Sequence, residues 1–177
     1  MRYQINHNTL SPEAVNNLEN AVLNENTQWI FNRYAGYKNK AYGVNDEVRK
    51  SITSFKHSVF QNGKMLDRDM YDLFKIIPQQ LGAKNIINMI CQMQIATIDP
   101  LQPIKHVDMP THATPYNSVV YYINESNGPT VLYNPDGTEM VRCEHERGKF
   151  IVFDGSIPHH ASKPSNGIRC VMNFCYD

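Results

Sequence analysis

"NIINMICQMQIATI" (residues 85–98) is the stretch that decides the fold. Ile87, Met89, Cys91, Met93 and Ile95 fall on every second position. That is the period of a strand and not of a helix. Further strand-like segments follow near 104–106, 117–123, 130–133, 140–143, 149–154, 159–162 and 168–176. Turn formers separate them, among them "DP", "TP", "NGP", "NPDG", "RGK" and "PSNG". Together with 85–98 they make eight closely spaced strands, the pattern of a jelly roll or barrel-like sandwich.

Upstream of Gly82 the pattern is mixed. "SPEAVNNLENAVLN" (11–24) predicts a helix with Ser11 as cap, Pro12 in the first turn and Glu13 at the positive end of the dipole. Its stripe is Ala14, Val15, Leu18, Ala21 and Val22. "TQWIFNR" (27–33) and "SITSFKHSVF" (51–60) predict strands, with "QNGK" (61–64) as a turn. "DRDMYDLFKII" (67–77) predicts a second helix stopped by Pro78. "YAGYKNKAYGVNDEVRK" (34–50) carries turn formers and tyrosines and reads first as a mobile surface loop, with closure over a ligand as the alternative. The expectation is one α+β domain over 1–177, mainly β with flanking helices. Residues 1–84 support it from outside and 85–177 form the β core.

Composition narrows the function classes. The chain has 177 residues, 41% of them apolar, with 17 basic against 17 acidic side chains. That is enough for a packed core. A neutral chain without a Lys/Arg cluster argues against nucleic acid as partner. Apolar runs such as "SVVYYI" (118–123) are too short to span a bilayer, so no membrane role is expected. "MRYQINHNTL" (1–10) lacks the apolar centre of a secretory signal. Cys91, Cys143, Cys170 and Cys175 are then read as reduced thiols of a cytoplasmic protein.

The polar residues carry the chemistry. In "HVDMP" (106–110), His106 and Asp108 stand two apart, so on a strand both side chains reach one side. Imidazole plus carboxylate suits Fe(II), Mn(II) or Zn(II). "HH" (159–160) offers a third ligand, and only one of two strand neighbours can face the ion. Two histidines and one carboxylate leave adjacent coordination positions open, the facial triad of non-haem iron oxygenases. "IRCVMNFCY" (168–176) alternates an apolar set (Ile168, Cys170, Met172, Phe174, Tyr176) with Arg169, Val171, Asn173 and Cys175. A guanidinium in mid-strand is costly unless a carboxylate meets it, and no acidic residue lies nearby in sequence. A bound dicarboxylate would meet it with two parallel hydrogen bonds. The plain alternative is an arginine reaching out to solvent.

Taken together, these residues resemble the 2-oxoglutarate- and Fe(II)-dependent dioxygenase superfamily, in its prolyl-hydroxylase-like group, over about residues 86–177. "HVDMP" matches the group's H-x-D motif. "VVYYIN" (119–124) matches the segment whose tyrosine, here Tyr122, bonds the far carboxylate of 2-oxoglutarate. "FDGSIPHHASKPSNGIR" (153–169) matches the distal histidine followed by proline at plus four and arginine at plus nine. Counting back from Pro164 and Arg169 selects His160. "IDPLQPIK" (98–105) departs from the tyrosine-and-glycine pattern usual before the motif.

The resemblance implies a double-stranded β-helix. It implies Fe(II) on His106, Asp108 and His160, and 2-oxoglutarate on Arg169 and Tyr122; Asn173, on the same predicted strand face as Arg169, is expected to line that pocket. Dioxygen would be the second co-substrate, ascorbate the reductant, and succinate and carbon dioxide the co-products. The substrate class it implies is a prolyl or other residue of a peptide or protein. A free amino acid or small metabolite is the alternative. No arginine follows Arg169, and Cys175 occupies the place where nucleic-acid demethylases carry one.

Two rival readings stand beside this one. One is a non-oxygenase β-barrel module binding metal or a carboxylate. The other is a zinc site from Cys143, His145, Cys170 and Cys175, opposed by the five-residue offset of Cys170 and Cys175, which puts them on opposite strand faces. His7, His57, His112 and His145 are expected on the surface or in loops, and Trp29 in the core.

Overall fold

β11 (Ile168–Tyr176) is the strand about which the molecule is organised. In the computed structural model, which describes residues 2–7, 9–32, 54–96, 104–109 and 112–177, it pairs antiparallel with β5 (Ile86–Ile95) on one side and β6 (Asn117–Tyr122) on the other. The larger sheet continues through β9 (Phe150–Asp154) to β1 (Tyr3–Asn6) at one edge. At the other edge it continues through β3 (Ser54–Gln61) to β2 (Ile30–Asn32), with β4 (Lys64–Met65) hairpinned onto β3. The smaller sheet has the order β10 (His159–Ala161), β7 (Thr130–Tyr133), β8 (Glu139–Cys143), and His106 joins β10 through a single bridge to His159. Segment 104–106 is thus one bridge and not a strand. The core order β9–β6–β11–β5 facing His106–β10–β7–β8 is a double-stranded β-helix, a jelly roll, as expected.

The two faces of β11 divide as its alternation requires. Cys170, Met172, Phe174 and Tyr176 join a cluster with Val15, Leu18 and Val22 of α1 (Pro12–Leu23) and with Phe74 and Ile77. Val171 joins the cluster between the sheets, with Val120, Tyr122, Leu132, Cys143, Ile151 and Phe153. Each fully buried large apolar side chain contributes about 1.5–3 kcal/mol. Arg169 and Asn173 share the inner face with Val171.

α1 begins as its sequence dictates: Ser11 Oγ accepts from the Ala14 N–H at 3.2 Å. Arg147 clamps the helix to the loop before β9 by pairing with Glu19 at 2.6 Å and with Asn16. Asn62 and Gly63 turn the β3–β4 hairpin with φ of 53° and 72°, the left-handed conformation that "NG" supplies.

Two local expectations fail, each for a physical reason, and one strand arises that no expectation covered. The helix expected over 67–77 breaks at Lys75 into α2 (Arg68–Phe74) and α3 (Ile76–Gln80). Pro78 lies in the first turn of α3, where its missing N–H costs nothing, so it opens a helix and does not end one. In β5, Met89 and Cys91 are buried on the helix side, but Ile95 is 46% exposed. Ile87 is the extra residue of a bulge where Asn88 pairs with Cys175 and Ile86 with Tyr176. β1 carries no sequence signal and forms because β9 offers it an edge.

His57 is no loop residue, since its ring bonds Asp67 Oδ2 and the Gln28 carbonyl, both at 2.9 Å. Trp29 packs at the rim of the helix-side cluster. Cys143 belongs to the inner cluster and Cys170 to the helix-side one, so the three sulfurs of the rival zinc site do not converge. Among the described residues no helix is long and apolar enough to cross a membrane. The 34–50 loop and residues 98–103 lie outside the described residues.

Candidate active site

His106 and His159 are opposed across their bridge, with N–H to carbonyl bonds of 2.9 Å in both directions. Residues directly opposite on an antiparallel pair project to the same side, and the two ring centroids lie 4.5 Å apart. His106 Nδ1 lies 3.0 Å from the Ile104 carbonyl, and His159 Nδ1 lies 3.1 Å from the Ile157 carbonyl. A carbonyl only accepts, so each Nδ1 carries the proton and each Nε2 presents its lone pair. Both Nε2 atoms face Asp108 Oδ1, at 3.9 Å from His106 and 3.6 Å from His159. The three ligand atoms all lie within 4.8 Å of one another, the sole such cluster found among the described residues.

His160 is therefore corrected as a ligand. As the strand neighbour of His159 it projects to the opposite face, where Tyr133 Oη lies 2.9 Å from Nδ1 and Ser162 Oγ 3.1 Å from Nε2. Burial and the Arg142 charge push its pKa down to about 4. The count back from Pro164 and Arg169 misses this by one residue, because strand parity decides orientation.

Asp108 is held from behind. Its Oδ2 accepts from Asn173 Nδ2 at 3.2 Å. Burial works to raise the Asp108 pKa, but positive charge on His159 or His106, whenever either ring takes up a second proton, together with a hydrogen bond from Ser118, outweighs it and holds the carboxyl well below its usual range. Asn173, expected beside the co-substrate, directs its amide to this carboxylate. Tyr116 steadies the loop, since its hydroxyl accepts from the Met109 N–H at 2.8 Å and donates to the Gly155 carbonyl at 2.9 Å.

Arg169 lies deeper on the same face, 2% exposed. Its Nε donates to the Gly128 carbonyl at 2.7 Å and its Nη2 to Thr130 Oγ1 at 3.0 Å. None of the ion pairs found among the described residues includes it, so it is a buried cation held by neutral acceptors. Burial pulls its pKa down. Tyr122 lies alongside, its ring centre 5.9 Å from the guanidinium carbon and its hydroxyl donating to the Cys143 carbonyl at 3.2 Å. A Cβ on Gly128 would stand 2.7 Å from Arg169 Cδ and 2.5 Å from the Ser162 carbonyl, so only glycine lets the arginine pass.

The sequence reading missed His159 as the inward histidine, Gly128 and Thr130 as the cradle of Arg169, and His145. Placed on the surface or in a loop by that reading, His145 is 6% exposed and lies tilted against Tyr122, with ring centroids 4.4 Å apart. Only "GPT" (128–130), a glycine beside a strand start, carried a signal for any of these.

No sequence family and no curated protein matches the chain. Solved structures do. A prolyl-4-hydroxylase of Pseudomonas putida is 18% identical, with a TM-score of 0.61 over 99% of this chain and 91% of its own. A prolyl hydroxylase from Trichoplax adhaerens, in complex with a hypoxia inducible factor oxygen degradation domain peptide fragment, is 13% identical, with a TM-score of 0.66 over 99% and 83%. The non-heme alpha ketoglutarate dependent epimerase SnoN from nogalamycin biosynthesis is 11% identical, with a TM-score of 0.65 over 98% and 77%. The chain thus shares its jelly-roll fold with prolyl-hydroxylase-like and other 2-oxoglutarate-dependent structures, the fold that its sequence resemblance implied.

Proposed function

We propose that this protein is a 2-oxoglutarate- and Fe(II)-dependent dioxygenase that hydroxylates a C–H bond, with a prolyl or other residue of a peptide as substrate. One observation carries the proposal. Two imidazoles and a carboxylate converge on one point, and a buried guanidinium without a carboxylate partner among the described residues lies between the same two sheets. The donor set fits Fe(II): two neutral Nε2 atoms with fixed tautomers and one ionised oxygen, leaving room for other ligands. The guanidinium fits the far carboxylate of 2-oxoglutarate.

His106, Asp108 and His159 would hold the metal, and Asn173 would keep Asp108 turned toward it. Arg169 and Tyr122 would orient the co-substrate, and the apolar side chains between the sheets would exclude water. Bound iron with 2-oxoglutarate and dioxygen supplies the oxidising chemistry, leaving succinate and carbon dioxide. Ascorbate as reductant and a cytoplasmic setting belong to the same proposal. The peptide substrate is supported by the sequence resemblance and by the peptide that the Trichoplax adhaerens neighbour binds. The epimerase among the neighbours is the reason fold alone does not name the reaction.

The test is succinate release from 2-oxoglutarate by Fe(II)-loaded protein with ascorbate, followed by a peptide-library screen for the gain of one oxygen. Folded, iron-loaded protein that neither binds nor consumes 2-oxoglutarate would instead be a metal-binding β-barrel module. Gain of oxygen on free amino acids alone would move the substrate to small molecules.

A further inference from the structure

His145 lies against Tyr122, the ring that also flanks Arg169, with half of its hydrogen-bonding capacity unused. Its Nε2 lies 2.7 Å from the Asn124 carbonyl, so Nε2 carries the proton. Asn124 cannot yield, because its Oδ1 accepts from the Cys170 N–H at 2.9 Å and its Nδ2 donates to the Glu125 and Ile168 carbonyls at 2.9 and 3.0 Å. Among the described residues no donor meets Nδ1, which is left as a buried bare lone pair, and the Gly128 backbone beside the ring favours a proton on it. A buried acceptor without a donor costs about 1–3 kcal/mol, which marks the atom as incomplete.

The surroundings explain why it stays neutral. Around the Tyr122 ring that His145 lies against stand Arg169 of β11, its guanidinium carbon 5.9 Å from the ring centre, and Lys149 of the turn before β9, its Nζ 6.0 Å from that centre and paired with Glu146 at 3.3 Å. Tyr122 of β6 packs tilted against the ring, and Cys143 of β8 lies beside Tyr122. Burial first, then the Arg169 and Lys149 charges, push the His145 pKa down to about 3. A carboxylate arriving at Arg169 would reverse the second cause. It is also an acceptor, and a bare Nδ1 cannot donate to it.

We propose that His145 completes the carboxylate pocket by taking up one proton from solvent at Nδ1 when a dicarboxylate docks on Arg169, and then donates that proton's hydrogen bond to the same carboxylate. This rests on the reading of Arg169 as the co-substrate's anchor and adds to it a residue, a proton and a pH dependence. The sign follows from linkage. The group is neutral in the free protein and protonated in the complex, so affinity rises as pH falls from above the complex's pKa toward that of the free protein. The slope is up to about tenfold per pH unit.

The experiment is calorimetric titration of the Zn(II)-loaded full chain with 2-oxoglutarate, in buffers of different ionisation enthalpy, between pH 6 and 8. Wild-type protein is expected to take up up to roughly one proton per ligand, and His145→Gln none, with a flat pH profile. Nitrogen shifts of the His145 ring in wild-type protein give a second readout. Nδ1 is expected to gain a proton on adding 2-oxoglutarate, whatever the fate of the variant. Binding with no proton uptake and an unchanged Nδ1 overturns the role of His145 and leaves the co-substrate reading standing. No binding by folded, zinc-loaded wild-type protein overturns both.

Discussion

The triad at the bridge of the smaller sheet and the arginine pocket on β11 of the larger one face the same space between the sheets, yet hold charge in opposite ways. At the triad, Asp108 is surrounded by donors and by two imidazoles whose lone pairs point inward. At the arginine, a cation meets neutral acceptors. Asn173, which touches the triad, and Arg169 are four residues apart on β11, about 13 Å along the strand. Each region is incomplete by itself, one toward a cation and the other toward an anion. A ligand carrying a keto-acid end and a second carboxylate would complete both, which is why the separation of the two regions says more than either alone.

Substitutions should uncouple them. Arg169→Met is expected to weaken 2-oxoglutarate binding on the order of 10²–10³-fold, from the loss of one partner of a buried charge pair. Metal affinity without co-substrate should stay within a few fold, as titration of Mn(II) by electron paramagnetic resonance would show. At the other end, His159→Gln should cost more than the 10- to 100-fold typical of outer ligand supports, while His160→Gln should cost less than about threefold. Equal losses would mean that strand parity does not choose the ligand. Asn173→Ala should weaken metal binding by about 10-fold or more through a loosened Asp108.

Gly128→Ala forces a Cβ against Arg169 and the Ser162 carbonyl. It should lower stability by about 1–3 kcal/mol in chemical denaturation and reduce co-substrate affinity, leaving metal affinity intact. Ser11→Ala, far from both regions, removes a helix cap worth about 1 kcal/mol and should lower Tm by about 2–4 °C. It should change neither affinity.

Much of this was legible in the sequence where local pattern and final geometry coincide. β11 is the clearest case: its alternation put Arg169, Val171 and Asn173 on one face and the bulky residues on the other, and packing obeys it. Ser11 and "NG" at 62–63 are local devices, and they act locally. What escaped depended on distant chain. Which histidine of 159–160 turns inward is set by the bridge to His106, not by its distance from Pro164 or Arg169. His145 sits among charged residues, "RCEHERG" (142–148), yet chain closure over the barrel buries it against Tyr122. Pro78 misled because the same ring that ends one helix fits the first turn of the next.

A crystal soaked with Mn(II) and N-oxalylglycine, imaged by the metal's anomalous scattering, tests the central claim most directly. The expected peak lies between His106 Nε2, His159 Nε2 and an Asp108 oxygen, with the analogue's far carboxylate on Arg169. A peak coordinated by His160, or an analogue that leaves Arg169 untouched, would contradict it.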